Sequence, residues 1–201
     1  MSIIKQSKIA FADVETTGLN PYLNAIHQLS VIIESDGEVV EKLDFRIRPF
    51  YHAKIDQIAL DKGGVTEEDL TKYDDHKEVF KIFKKTLGKY VDPYKKTDKY
   101  DFVAYNSPFD NEFIRQWFNR NGDTYFGSWF WNPDICVMRL VAFWMKLKKI
   151  DRPVNMKLIQ VSNLLGFTKS PDDDDKWHDS MFDIEMTRRV YNHVKNDLLR
   201  S

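Results

Sequence analysis

The sequence predicts an α/β domain: a mixed five-stranded sheet flanked by helices. Three observations point there. Short apolar runs bounded by turn residues open the chain and read as an antiparallel meander. From His76 onward the apolar residues take helical spacing. Between those helical stretches lie two more short, strand-like runs.

The first strand is Lys8–Val14, apolar and closed by Gly18 and Pro21. His27–Glu34 is the second. Asp36-Gly37 is a two-residue turn signal, and Glu38–Ile47 alternates as the third strand. Irregular chain follows until Thr66, which with Asp69 forms a capping box opening a short helix. Val79, Ile82, Phe83, Leu87 and Tyr90 then mark one face of a helix over 76–91. Asp101–Tyr105 is the fourth strand. Ser107-Pro108 starts a helix, with Ser107 as N-cap and Pro108 in the first position, and Gly122 stops it. Phe130-Trp131 is the expected fifth strand. Asp134 caps a helix to Lys148, Met156–Gly166 is another helix, and Ser180 caps the last, which runs to Leu199. Between them, 169–177 is a polar loop with four consecutive aspartates, Asp172–Asp175, read as a solvated face.

Composition narrows the function. Lys+Arg 30 against Asp+Glu 31 gives a net charge of −1, which excludes a histone-like polycation. The longest apolar run, Leu140–Met145, is far short of the ~20 residues a membrane span needs, so no membrane role is expected. The N-terminus shows no signal-peptide pattern, and a cytoplasmic location is the expectation. Cys136, the single cysteine, excludes an intrachain disulfide and a multi-cysteine zinc site.

The chemistry is in the acids. Asp13 and Glu15 end the first strand two residues apart, so both side chains leave one face. Asp-x-(Asp/Glu) occurs six times in the chain, so spacing alone means little. Context separates the first occurrence: Asp36 lies in a polar turn, whereas Asp13 follows Ile9, Ala10, Phe11 and Ala12. Two enclosed like charges repel and lose hydration, and a divalent cation relieves both costs. Asp110 and Asp183 each fall at the third position of a predicted helix. Helix dipoles favour acids there, and the same placement aims both at the ends of nearby strands. His178, five residues before Asp183, belongs to the loop leading in.

FADVETTGL, YNSPFDNEF and HDSMFDIEMT, in that order, resemble the three motifs of the DEDDh 3′→5′ exonucleases, the family of the polymerase proofreading epsilon subunit, ribonuclease T and oligoribonuclease. ALDKGGVT and KLIQVSNLLGF resemble intermediate segments, so the likeness covers about residues 7–195 of one exonuclease domain, 1–201. It implies an RNase H-like fold with sheet order 3-2-1-4-5. It implies two divalent cations, Mg²⁺ or Mn²⁺, held by Asp13, Glu15, Asp110 and Asp183, with His178 as general base. Substrate contacts by the same analogy are Thr16, Thr17, Leu19, Asn106 and Phe109, with Leu19 as a wedge and Phe109 as a stacking surface at the end being cut. Tyr105 stands where the family commonly has His, and Ser180 where it often has Ala.

The expected activity is two-metal hydrolysis of terminal phosphodiesters in single-stranded nucleic acid, from the 3′ end, releasing nucleoside 5′-monophosphates, with DNA favoured. An RNA-trimming exoribonuclease and a non-catalytic nucleic-acid-binding module are the alternatives. A D-x-D-x-T phosphatase fits poorly, because the second acid is Glu15. A polymerase is a candidate partner, for proofreading. The stretch 77–99 carries eight Lys against Glu78, Asp92 and Asp98, and reads either as a phosphate-tracking surface or as a soluble face. Tyr125, Phe126, Trp129, Phe130 and Trp131 read either as a stacking platform or as packing between a helix and a sheet edge.

Overall fold

A computed structural model describes residues 7–167 and 178–200; the predicted polar loop with Asp172–Asp175 lies outside them. Five strands form one sheet: β1 Lys8–Thr16, β2 Ile26–Ser35, β3 Glu38–Arg46, β4 Asp101–Ala104 and β5 Ile135–Cys136. Their order is β3-β2-β1-β4-β5, with the meander antiparallel and β4 and β5 parallel to β1 and to each other. The helices are α1 Gln57–Lys62, α2 Glu67–Lys72, α3 His76–Leu87, α4 Ser107–Arg120, α5 Phe126–Trp129, α6 Val137–Lys148, α7 Leu158–Leu164 and α8 Ser180–Leu199. No helix among the described residues is long and apolar enough to cross a membrane.

The strand period of two divides the core between the two faces of the sheet. Ala10, Ala12 and Val14 face α3 and α4, where Phe80, Phe83, Phe113, Trp117 and Phe118 pack. Ile9 and Phe11 face the other way, among Val141 and Met145 of α6 and Ile184, Val190 and Val194 of α8. The Phe11 ring meets Tyr191 of α8 edge-on, with centroids 5.4 Å apart. Asp13 and Glu15 continue the Ile9–Phe11 face beyond this apolar cover. The body of α8 covers the apolar part of β1, and its first turn meets the acidic part.

Several boundaries differ from the sequence expectation, each for a physical reason. The fifth strand is Ile135–Cys136, not Phe130-Trp131, because Pro133 cannot donate to a ladder. Phe130 keeps only an isolated bridge to Tyr100. Asp134 therefore leads into β5 instead of capping α6, whose N-cap is Cys136. Asn106, not Ser107, is the N-cap of α4, and Pro108 occupies the second helical position, where its missing N–H costs nothing. The N-cap of α8 is Asp179, which accepts from Met181 N (3.1 Å) and Phe182 N (3.2 Å). Its charge makes it a stronger acceptor than the Ser180 hydroxyl, which turns to Ser30 Oγ at 2.6 Å instead. Asp110 and Asp183 consequently sit at the fourth helical position, not the third. The Thr66–Asp69 capping box is present as expected. The short α1, capped by Asp56, has no apolar period and was not expected.

The aromatic cluster packs. Phe126, Trp129 and Phe130 are buried and Phe126 meets Phe118 edge-on, while Tyr125 is exposed. Within the apolar run Leu140–Met145, Trp144 and Met145 are core and Phe143 is exposed.

Candidate active site

The site forms where β1 outruns its neighbour. The β1–β4 ladder ends at Phe11↔Val103, so Val14 N–H has no strand partner on that side. Asp110 Oδ1, from the first turn of α4, accepts it at 3.2 Å. This bond seats Asp110 between the two β1 acids in sequence. From the opposite side of the sheet comes α8: single ligand atoms of Glu15, His178 and Asp183 all lie within 4.8 Å of one another. Asp13 is outside that triplet, but its carboxyl feels Asp110, Asp183 and Glu15 directly. All four acids and His178 thus converge at the end of β1, where sites form in open α/β sheets.

The electrostatics are those of crowded acids. Enclosure, then repulsion from Asp110, Asp183 and Glu15, holds the Asp13 carboxyl well above the usual range. Glu15 is pushed up to about 8, by burial first and by Asp183 and Asp110 next, with Arg46 pulling the other way. Burial raises Asp110 to about 7 against the Val14 hydrogen bond. Burial likewise raises Asp183 to about 7, opposed by a bond from the His178 backbone. His178 is shifted down, by lost hydration in the cleft and then by the nearby Lys62 and Lys157, which favours the neutral imidazole. Its φ of 72° is left-handed, an uncommon conformation for a non-glycine residue that here aims the ring back at the acids.

A cation fits these residues. Among the described residues Asp183 Oδ1 is buried and has no hydrogen-bond partner, and burial and mutual repulsion raise Asp13 and Glu15, with Arg46 offsetting only part of this at Glu15. The donors are carboxylate oxygens with one imidazole nearby, a set suited to hard divalent ions such as Mg²⁺ or Mn²⁺.

The remaining predicted residues divide. Asn106 lines a cleft of about 770 Å³ together with His178, Asp183, Tyr105 and Lys62. Leu19 is 78 % exposed on the loop after β1, free to meet a substrate. Phe109 is half-buried, its ring 4.8 Å from Phe113. Thr16 and Thr17 are buried and bonded within the chain. Thr16 Oγ1 donates to Gly18 O (2.7 Å), and Thr17 Oγ1 donates to Lys54 O (2.7 Å) while accepting from Ala25 N (3.0 Å). Their side chains shape the loop that presents Leu19. Gly18 is obligatory there, since a Cβ would lie 2.4 Å from Asn24 Nδ2, which itself donates to Lys54 O.

A polar lattice behind the site was not expected. Asp179 accepts from Arg46 Nη2 (3.0 Å) and Gln28 Nε2 (3.3 Å), and Ser30 Oγ joins Asp44 (2.9 Å) to Ser180. It pins the start of α8 to β2 and β3, and so fixes His178 and Asp183 relative to β1. The departure at Ser180 is thus a structural contact. Tyr105, the other departure, donates to Met156 O at 2.6 Å and lines the cleft wall.

Comparison with known proteins agrees with this architecture. The exonuclease family model of the RNase T type matches residues 10–191. Curated relatives include PolC-type DNA polymerase III of Staphylococcus haemolyticus, 29 % identical over 119 residues, and of Mycoplasmopsis pulmonis, 30 % identical over 123 residues. Each match covers 59 % of this chain but only 7 % of the polymerase. Among solved structures, the zinc-bound E. coli exonuclease I complex with single-stranded DNA superposes with a TM-score of 0.77 at 21 % identity. It covers 98 % of this chain and 42 % of that one. The product-bound exonuclease I superposes at 0.72. These likenesses agree with the RNase H-like sheet order found here, and with the family match spanning most of the sequence they show that the chain belongs to the exonuclease family, in its DEDDh-type 3′→5′ branch.

Proposed function

We propose that this chain is a 3′→5′ exonuclease of single-stranded nucleic acid, DNA in preference to RNA, releasing nucleoside 5′-monophosphates. The observation that carries the reading is the convergence of Glu15, His178 and Asp183 within 4.8 Å, beside Asp13 and Asp110. Asp13, Glu15, Asp110 and Asp183 would hold two divalent cations, Mg²⁺ or Mn²⁺. The chemistry such ions supply is charge neutralisation at the phosphoryl and leaving oxygens and activation of water.

The chain's own groups do the rest. His178, neutral at physiological pH, takes the proton of the attacking water. The Asp183 carboxylate, bonded to the His178 backbone, keeps the imidazole in reach. Asn106 and the cleft beside it receive the terminal nucleotide, and exposed Leu19 wedges against the terminal bases. Thr16, Thr17 and Asn24 hold the Leu19 loop in place, and Phe109, in the first turn of α4, stacks on a terminal base. DNA preference is supported by the kind of relatives found: DNA polymerases and an exonuclease bound to single-stranded DNA. The PolC-type matches also favour a proofreading setting beside a polymerase, which predicts faster excision at mismatched than at matched primer ends.

The test is digestion of 3′- and 5′-labelled single-stranded DNA and RNA with Mg²⁺, Mn²⁺ or EDTA. Stepwise shortening of the 5′-labelled DNA, abolished by EDTA and by Asp13→Ala, is the expected result. Full activity in Asp13→Ala or in EDTA would refute it, and faster loss of RNA would reassign the substrate. Unchanged binding without any cleavage would mark a non-catalytic module.

A further inference from the structure

The lysine-rich helix α3 is not used by the chemistry above. Lys77, Lys81 and Lys84 stand at i, i+4 and i+7, one stripe along the helix. With Phe80, and with Arg120 and Asn121 from the carboxyl end of α4, they line a groove of about 540 Å³. Phe80 is buried against Trp117 and Phe118 and forms a fixed floor, with Lys84 Nζ 5.5 Å from its centroid.

The charges in the groove are only partly matched. Lys81 pairs with exposed Glu78 at 2.7 Å, and Lys84 pairs with Asp123. Lys77 has no carboxylate partner among the described residues. Arg120 has none either: it donates to Pro21 O at 2.6 Å and stacks on Phe50, 4.2 Å from the centroid. The carbonyls ending α4 would oppose an anion, but Asn121 Nδ2 caps Trp117 O at 2.8 Å. Net positive charge over an aromatic floor is the chemistry of a polyanion site.

Geometry ties this groove to the acids. Helix α4 carries Asp110 at one end and Arg120 at the other, ten residues or roughly 15 Å apart. The loop after β1 touches α4 towards both of its ends, at Glu112 and at Arg120. Its Leu19 and Tyr22 are 78 % and 65 % exposed, Tyr22 OH donates to Glu112 at 3.2 Å, and its Pro21 carbonyl is held by Arg120. Glu112, the acid on this path, is engaged by Tyr22, by Gln116 and by Arg115.

We propose that the α3–α4 groove is a second nucleic-acid site, which grips the sugar-phosphate backbone a few nucleotides 5′ of the end being cut. The inference rests on the exonuclease reading and goes further, by giving the enzyme a preferred substrate length. A strand rises at least 3.4 Å per nucleotide, so about four nucleotides or fewer bridge the 15 Å. Shorter substrates use the active site alone, and longer ones are held at both places.

The experiment uses the whole chain and a Lys77→Glu/Lys81→Glu variant, both positions exposed and away from the catalytic residues. Fluorescence anisotropy in EDTA measures binding of labelled oligothymidylates of three and twelve nucleotides. For the twelve-mer, the variant should bind about 10- to 30-fold more weakly at 0.1 M salt. Its slope of log affinity against log salt should flatten by about 1.4, the contribution of two phosphate contacts to a single strand. The trimer should bind, and in Mg²⁺ be hydrolysed, as by the wild type. Equal weakening for both lengths, or an unchanged twelve-mer slope, overturns the proposal. A wild type that degrades neither oligonucleotide overturns the exonuclease reading instead, and the binding arm still decides the groove.

Discussion

Replacing Asp110 by asparagine should stabilise the metal-free protein while it destroys activity. Asp110 is 5 % exposed and its pKa rises to about 7. The folded chain therefore keeps a proton there that the unfolded chain, with a carboxyl near 3.8, has released. Between those values stability falls as pH rises, and the cost is complete above pH 7. At roughly 1.4 kcal/mol per pH unit the full cost is about 4 kcal/mol. Asparagine cannot ionise, and its amide oxygen still accepts the Val14 N–H. It also needs a partner for its own NH₂, which takes back part of the gain, so a net gain of about 1–3 kcal/mol is expected. For a chain of this length that is a rise of roughly 3–10 °C in Tm. The assay is thermal unfolding by circular dichroism in EDTA at pH 4 and pH 8. The gain should appear at pH 8 and largely disappear at pH 4, where the folded carboxyl is protonated and the unfolded one is close to its titration midpoint. Hydrolysis in Mg²⁺ should fall by about 100-fold or more, above the 10–100-fold typical of residues one shell further from a metal. A variant less stable than wild type at pH 8, or equally shifted at both pH values, would refute the account of Asp110 as a strained acid awaiting a cation.

Three more outcomes follow from the same geometry. Mg²⁺ at about 100 times its Kd should raise wild-type stability by about 2.7 kcal/mol at pH 8, and by less at pH 5, where protons compete for the carboxylates; calorimetric melts check both. His178→Ala should lower kcat by about 10²–10⁴ and leave that Mg²⁺ stabilisation intact, since the imidazole serves as base; loss of the metal shift would make it a ligand. Leu19→Ala should raise KM for single strands without moving Tm, because the side chain is 78 % exposed, and an unchanged KM removes the wedge.

How far the sequence could be read depended on whether a local signal had a distant competitor. Asp13 and Glu15 were legible because an acid in an apolar strand has no local explanation. The three-strand meander was legible from alternation and the Asp36-Gly37 turn. The caps of α4 and α8 lie one residue, and that of α6 two residues, from where the sequence puts them; at α8, Ser180 could bond either its own helix or Ser30, and Asp179 is favoured by Arg46, more than 130 positions away. The fifth strand was misplaced because Phe130 and Trp131 have strand propensity but Pro133 breaks the ladder behind them. Nothing local marked Arg46 or Gln28 as supports of the site, since each acts through Asp179. Nor did spacing report that Thr17 would be wholly buried beneath its loop; the motif named it as a contact, and its hydroxyl is taken by Lys54 and Ala25.

The division of the site between β1 and α8 bears on biosynthesis. Asp13 and Glu15 emerge early, but the fourth acid and the imidazole sit some 165 positions later, at the start of α8. A nascent chain, or one truncated by a premature stop, can build much of the sheet and still be inert toward nucleic acids. On the proposed mechanism, cutting power requires docking of the final helix, which brings Asp183 and His178 to the β1 acids.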